Sequence, residues 1–114
     1  MTSEELLASL TAIGHAQRLR IIAELSRGRV HISELARRLG LSRPLLYMHL
    51  ERLEKANLVI GTLELSPDGK AMKYMELAPF ELKVTAQTVI DALTEDELVG
   101  EAGSETRPDQ KEPL

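Results

Sequence analysis

Residues 32–50 read ISELARRLGLSRPLLYMHL, and this stretch predicts two helices joined by a tight turn. Ala36 falls where the helices cross, and a small side chain there lets the two backbones approach. Gly40 ends the first helix at a position that needs a positive φ angle, which glycine adopts without steric cost. Leu46 is the apolar residue on the inner face of the second helix. Because these features occur in register, they indicate a DNA-binding helix–turn–helix; a helical hairpin with no DNA role is the alternative.

The second helix has a clear start, with Ser42 as its N-cap and Pro44 in its first turn. Leu46, Leu50, Leu53 and Ala56 are predicted to face inward. The opposite face then carries Arg43, Tyr47, Met48, Glu51 and Arg52. In a helix–turn–helix the N-terminal residues of this helix reach base edges in the major groove. We therefore expect Arg43 to contact guanine and Tyr47 to meet a base edge, a thymine methyl group or a phosphate. The alternative for each is an ordinary solvated side chain.

The segments VIGTLELS (59–66) and KAMKYMELA (70–78) predict two strands around a turn at residues 66–69. Pro67 and Gly69 occupy the second and fourth turn positions, which suits a type I turn. A hairpin directly after a reading helix is a wing, and Lys70 and Lys73 are placed to lie along phosphates or to approach the minor groove. A hairpin that only covers the core is the alternative.

Three further helices are predicted, over residues 3–13, 16–27 and about 80–98. The second is expected to bury Leu19, Ile22, Ala23 and Leu25, and His31 stands at the N-cap of the helix that follows. The last helix begins after Pro79 and carries more aliphatic surface than one chain can cover, so two copies are expected to meet about a twofold axis. The predicted dimer interface comprises Leu6, Leu7, Leu10, Leu82, Ala86, Val89, Ile90 and Leu93.

The predicted fold is therefore mostly α with a small β-hairpin: a winged helix–turn–helix in the order ααααββα, dimeric through its first and last helices. Residues 1–98 form the DNA-binding and dimerisation domain. Residues 99–114 are polar, acidic and punctuated by proline, and they are predicted to be a disordered tail.

The charge is unevenly distributed, although the 114 residues carry a formal net charge of −4. Residues 95–114 hold seven acidic and two basic groups, whereas residues 16–58 hold nine basic and four acidic groups. The basic charge thus gathers around the reading helix, as phosphate binding requires. The predicted DNA-contacting residues are Arg37, Ser42, Arg43, Leu45, Tyr47, Met48, His49, Arg52, Lys70 and Lys73.

Other functions find little support in the composition. The absence of cysteine excludes disulfides, thiolate metal sites and cysteine nucleophiles. The chain also lacks a glycine-rich phosphate loop and a recognisable catalytic triad, so we do not expect an enzyme. It has no apolar run of about 18 residues and no signal peptide, so a cytoplasmic location without a membrane partner is expected.

The order of these elements, with AIGHAQRLRIIAEL (12–25) and ISELARRLGLSRPLLYMHLERLEKANLV (32–59), resembles the ArsR-type winged-helix transcriptional regulators over residues 5–95. Ala16 replaces the family's proline, and Asn57 replaces its usual exit glycine while still tolerating a left-handed conformation. MarR-like proteins share much of the pattern; the single helix after the wing favours the ArsR type.

The resemblance implies a homodimeric regulator, most simply a repressor, whose reading helices enter successive major grooves of a near-palindromic operator. Many members sense a metal through cysteines, or through Asp and His residues on the last helix, and this chain lacks both sets. No cofactor is evident, and a divalent metal effector has only His15 and His31 as weak candidate ligands. The alternative function is an interaction module that acts through a partner regulatory protein, which the acidic tail, Glu51 and Asp68 favour.

Overall fold

The protein is described by a computed structural model that covers the backbone of residues 1–103 and the side chains of residues 1–100. Within that range it has five helices and three strands. They are α1 (Ser3–Ile13), α2 (Ala16–Leu25), β1 (Val30–His31), α3 (Ile32–Leu39), α4 (Arg43–Lys55), β2 (Val59–Leu65), β3 (Ala71–Leu77) and α5 (Ala86–Gly103). The chain divides into two compact units, one of residues 8–81 and one that combines residues 1–7 with those from 82 onward.

The unit of residues 8–81 holds a closed apolar core. Side chains from α2, α3, α4 and the sheet meet there, and the largest are completely buried. They include Ile21, Leu35, Leu46, Leu50, Leu53 and Met75, each at most 1% exposed. The inward positions predicted for Leu46, Leu50 and Leu53 are therefore confirmed, and the inner face of α4 packs against this core.

The turn between α3 and α4 follows the predicted geometry. Gly40 has φ 65° and ψ 32°, the left-handed conformation. The amide of Leu41 donates to the carbonyl of Ala36 over 3.0 Å, and the amide of Gly40 donates to Arg37 over 3.2 Å. This pair of bonds satisfies carbonyls at the end of α3 in the manner of a Schellman motif. Just after α4, Asn57 has φ 62°, the left-handed conformation that was predicted to be tolerated there.

The predicted hairpin is present, but it belongs to a three-stranded antiparallel sheet in the order β1-β3-β2. The Gly69 amide donates to the Ser66 carbonyl over 2.8 Å and closes the turn. Strand β1 was not predicted, so the element order is ααβααββα rather than ααααββα. A strand of two residues is too short to show an alternating pattern. It forms because Val30 and His31 pair with Met75 and Tyr74 of β3.

The buried face of α2 matches the prediction in part. Leu25 is buried and Ile22 packs against the core, as predicted, whereas Leu19 is 56% exposed and Ala23 is also exposed. Ile21 and Arg18 are buried instead. The predictions for Leu19 and Ala23 are wrong because Arg18 occupies an inner position, so the buried face is rotated toward Arg18 and Ile21.

The unit of residues 1–7 and 82 onward contains α5, which begins later than predicted. Its first residue is Ala86, six residues beyond the predicted start at 80. Thr85 and Thr88 cap it reciprocally, each hydroxyl accepting the other's amide at 3.1 and 3.0 Å. This cap is a stronger start signal than Pro79, because the threonine hydroxyl satisfies a free amide of the first turn.

Helix α5 also ends later, at Gly103 rather than Leu98, so residues 99–103 of the predicted disordered tail are helical. The remainder of that predicted tail, residues 104–114, lies outside the described residues. In the same unit the N-terminus of α1 is joined to α5, because the amide of Ser3 donates to Asp96 over 2.9 Å. The terminal ammonium of Met1 lies 2.8 Å from the Glu95 carboxylate.

Candidate nucleic-acid interface

The outer face of α4 is open to solvent along its first two turns. The Ser42 hydroxyl accepts the amide of Leu45 over 3.3 Å, so the N-cap is as predicted. Leu45, Tyr47 and Met48 are 40–44% exposed, a high value for large apolar or aromatic side chains. Since the inner face packs in the core, α4 presents a rigid outer surface on which apolar groups stand beside Arg43.

Arg43 is held by the preceding helix. Its guanidinium donates a hydrogen bond to the hydroxyl of Ser33 on α3. Arg43, Ser33 and Tyr47 also line a cleft of about 130 Å³ whose opposite side is formed by Met72 and Lys73 of β3. The cleft therefore joins the start of the reading helix to the wing.

Lys73 links the wing to α4. Its ammonium lies 3.7 Å from the Glu54 carboxylate and 5.7 Å from the centroid of the Tyr47 ring. Lys73 is half-buried, whereas Lys70 beside the turn is exposed. The Lys70 ammonium is therefore accessible to a phosphate, whereas the Lys73 ammonium already lies near Glu54 and the Tyr47 ring.

An exposed ion-pair cluster connects α2 with α3. Glu34 pairs with Arg37 at 2.5 Å and with Arg38 at 2.9 Å, and Arg38 also lies 3.5 Å from Glu24. Hydrogen bonds from the two arginines hold the pKa of Glu34 at about 2. Arg37, a predicted DNA-contacting residue, is exposed, but its guanidinium already has a carboxylate partner.

His49 is a correction to the predicted contact set. Its side chain is only 2% exposed and lies on the inner side of α4, so it cannot reach a duplex in this conformation. Its Nδ1 atom is 3.0 Å from Nη1 of Arg18, and both residues are buried. The sequence places His49 midway between the inward Leu46 and the exposed Arg52, and only packing decides which way it faces.

The remaining predicted contact residues divide by location. Ser42, Arg43, Leu45, Tyr47, Met48 and Arg52 are exposed on or beside α4, Arg37 is exposed on α3, and Lys70 and Lys73 belong to the wing. The structure adds Ser33, which the sequence did not single out, and Arg29. Arg29 pairs with Glu64 at 2.7 Å and stacks 4.0 Å from the centre of the Tyr74 ring. No sequence spacing signals these contacts, since they join separate elements.

The weak metal candidates have capping contacts. Nδ1 of His15 accepts the amide of Gln17 over 3.0 Å, and Nδ1 of His31 accepts the amide of Glu34 over 3.4 Å. Among the side chains of residues 1–100, no three His, Asp or Glu groups converge on a common point. The residues present therefore do not fit the ligand sets that the family resemblance implies.

The predicted dimer residues also differ from one another. Leu6 is 4% exposed, so it belongs to the protomer's own interior and its assignment to the interface is withdrawn. Leu7 is 61% exposed, and Val89, Ile90 and Leu93 of α5 are 43–54% exposed. Leu10 and Leu82 are half-buried, and Ala86 is exposed.

A supported helix–turn–helix followed by an antiparallel wing defines a winged-helix DNA-binding protein. Residues 15–60 match the bacterial regulatory protein ArsR family. An uncharacterised HTH-type transcriptional regulator of Methanocaldococcus jannaschii is 34% identical over 86 residues, which are 75% of this chain and 88% of that protein. The chain belongs to the ArsR family of helix–turn–helix regulators, and it is a DNA-binding transcriptional regulator rather than an enzyme.

Solved structures support the same fold. Reduced HlyU from Vibrio cholerae N16961 superposes with a TM-score of 0.58 at 23% identity, covering 84% of this chain and 90% of that one. NolR from Sinorhizobium fredii gives a TM-score of 0.56 at 23% identity, with 85% of each chain covered. Across the described residues, no helix is both long and apolar enough to cross a membrane.

Proposed function

We propose that this regulator is a homodimer that represses transcription by occupying a near-palindromic operator. Each protomer places the N-terminal half of α4 in a major groove, and the two half-sites lie about one helical turn apart. The observation that carries the proposal is the exposed α4 face of Arg43, Tyr47 and Met48 on a helix whose other side is fully buried. A helix that is fixed on the core favours base readout, because its side chains reach the bases without further ordering of the backbone.

Arg43 is the proposed sequence-reading residue. A guanidinium presents two parallel donors to the O6 and N7 atoms of guanine, and one such pair discriminates against a wrong base by about 1–3 kcal/mol. Ser33 holds the guanidinium beside the cleft between α4 and the wing. Lys70 has a different proposed role, since an exposed lysine at the end of the turn meets phosphate and reads no sequence.

The proposed dimer uses α5 together with the exposed part of α1. Val89, Ile90 and Leu93 leave an apolar face on α5 that remains open within one chain. A second copy supplies a surface of the same kind, which is the self-complementary arrangement of a twofold dimer.

The test is selection of duplexes from a random pool by the full chain, followed by binding measurements on the enriched duplex. Arg43→Ala is expected to lose the preference for that duplex, while Arg27→Ala, which alters an arginine whose side chain is 75% exposed, keeps it. Lys70→Ala is expected to weaken binding to all duplexes and to reduce the slope of log K against log salt by about one unit.

Three results would contradict the proposal. If Arg43→Ala retains the preference, α4 is not the reader. If the enriched duplexes contain one half-site only, the paired geometry is wrong. If the unaltered chain shows no preference for any duplex at low salt, the alternative of an interaction module acting through a partner protein replaces operator binding.

A further inference from the structure

The most unusual interior feature of the described residues is a buried arginine without a carboxylate partner. Arg18 of α2 is 7% exposed. Its polar neighbours are Nδ1 of His49, 3.0 Å from Nη1, and the carbonyl oxygen of Thr11, 3.5 Å from Nη2. Its Nε atom is buried without a hydrogen-bond partner. A buried charge without a carboxylate partner is costly.

The contact determines the protonation state of His49. A guanidinium has donors only, so Nδ1 of His49 must be the acceptor in this bond. The histidine is therefore neutral, and its single ring proton is on Nε2. A doubly protonated ring would lose the bond and place two cations in contact.

The surroundings of His49 oppose a positive charge. The ring is buried, its centroid lies 4.6 Å from that of His15, and Arg18 and Arg52 are the other charged groups that act on it. His15 and Arg18 belong to α2 and its cap, and Arg52 lies on the same helix as His49. Burial first, and then these three basic groups, lower the pKa of His49 below its ordinary value.

The same guanidinium joins three helices. Thr11 lies in the last turn of α1, where carbonyl oxygens lack helical partners and attract a cation. Arg18 is in α2, and His49 is on the inner face of α4, two residues after Tyr47. The hydrogen bond to His49 thus connects α4 to α2, and the same guanidinium connects α2 to α1.

We infer that Arg18 and His49 are positioning residues for DNA recognition, and that α4 keeps its reading orientation only while His49 is neutral and accepts from Arg18. The inference rests on the proposed operator binding by α4. Neither residue touches DNA; both act through the placement of Arg43 and Tyr47. Sequence preference should therefore weaken in acid, when His49 gains a proton.

The bond itself is tested without DNA, by long-range ¹H–¹⁵N NMR of the three histidine rings in the full chain. His49 is expected as the neutral Nε2–H form and should gain its second proton at a pH below the ordinary histidine pKa. In Arg18→Leu the tautomer preference should be lost and α4 amide resonances should shift. An Nδ1–H form of His49, or unmoved α4 resonances in Arg18→Leu, would overturn the inference even if DNA binding failed altogether.

The DNA measurement compares His49→Asn with His49→Leu on the duplex enriched by the unaltered chain. Asparagine keeps an acceptor close to the Nδ1 position but leaves space, whereas leucine fills space and removes the acceptor. If His49 contributes only packing, His49→Leu should retain more of the duplex preference than His49→Asn. If His49 acts by accepting a hydrogen bond from Arg18, His49→Asn should retain more. Since a hydrogen bond to a charged group contributes on the order of 1.5–3 kcal/mol, preference should fall about 10- to 100-fold in His49→Leu and in Arg18→Leu.

The pH profile separates positioning from general stability. As the pH falls below the ordinary histidine pKa of about 6.5, the ratio of enriched to unrelated duplex binding should fall in the unaltered chain and stay level in His49→Asn. His15 and His31 are unaltered in both proteins, so a difference between the two profiles belongs to His49. Arg27→Leu is the control for loss of an arginine charge and should retain the preference. Equal pH profiles, or Arg18→Leu behaving like Arg27→Leu, would refute the inference.

Discussion

Helices α4 and α5 are both rich in aliphatic residues, yet they bury very different fractions of them. In α4, Leu46, Leu50 and Leu53 are at most 1% exposed. In α5, Ala92 is buried, but Val89, Ile90, Leu93 and Leu98 are 43–62% exposed. The reading helix is stabilised by its own chain, whereas the apolar face of the last helix remains available to another molecule.

The difference shows how a regulator of this size divides its apolar surface. A helix is stabilised mainly by the packing of its apolar face. The α4 face meets the core of residues 8–81, so its orientation does not depend on assembly. In the proposed dimer the α5 face would gain that stabilisation from the second copy, and the spacing of the two α4 helices would then be set by the dimer.

The largest expected effect comes from opening the core behind α4. Leu46→Ala should lower the free energy of unfolding by about 2–5 kcal/mol, because a completely buried leucine leaves a cavity. Leu19→Ala, at a leucine that is 56% exposed on α2, should change it by less than about 0.5 kcal/mol. Denaturant unfolding measures both. Similar losses would mean that α4 does not rest on this core.

On α5 the expected effect is on assembly. Ile90→Glu should shift the dimer–monomer equilibrium toward monomer by about 2 kcal/mol or more, since a charge would be buried at the centre of the interface. Leu19→Glu is the matched control and should leave the equilibrium unchanged. Analytical ultracentrifugation over a range of concentrations gives the result. An unaltered chain that is monomeric throughout would contradict the assignment of this face to a second copy.

A smaller effect is expected at the turn between α3 and α4. Gly40→Ala should destabilise the fold by about 1–2 kcal/mol, because a Cβ atom is unfavourable at φ 65°. No atom beyond the adjacent residues lies within 4 Å of the Cβ position, so the cost comes from the local backbone conformation and not from a clash with another element. Gly40→Asn should lose less, as Asn57 already adopts φ 62°. Equal losses in thermal unfolding would point to a clash instead.

The smallest effect concerns Glu34, whose pKa is lowered from 4.5 to about 2 by Arg37 and Arg38. A lowered pKa in the folded state means that the carboxylate's contribution is complete above pH 4.5 and is lost as the pH falls toward about 2. The Glu34 side chain is 27% exposed and its arginine partners lie at the surface, so the change should be small and should shrink in high salt. Glu34→Gln should flatten this part of the stability–pH curve. An unchanged curve would show that other acids account for it.

Much of the fold was predictable because its signals are local. Gly40, Ser42 and the leucine spacing of α4 are each read within one or two helical turns, and the structure retains all three. The hairpin and its turn are local too, since strand alternation and Pro67 lie in one continuous segment. The exposed contact face of α4 followed directly from this periodicity.

The errors arose where distant contacts decide the structure. His49 was predicted at the DNA surface, but Arg18, thirty-one residues away, holds it inside. Strand β1 exists only because β3 pairs with it. The start of α5 was misplaced because the apolar pattern continues upstream of Thr85, while the threonine cap determines where the helix begins.

By itself, the sequence determined the type and order of the main elements, the glycine turn and the outward set of α4 side chains, because hydrophobic period and backbone sterics act over a few residues. Tertiary structure alone decided that an arginine and a histidine face inward together, that Ser33 holds Arg43, and that Val30 and His31 pair with β3. Those outcomes depend on which surfaces meet, since burial and hydrogen-bond satisfaction are settled between elements and not within one.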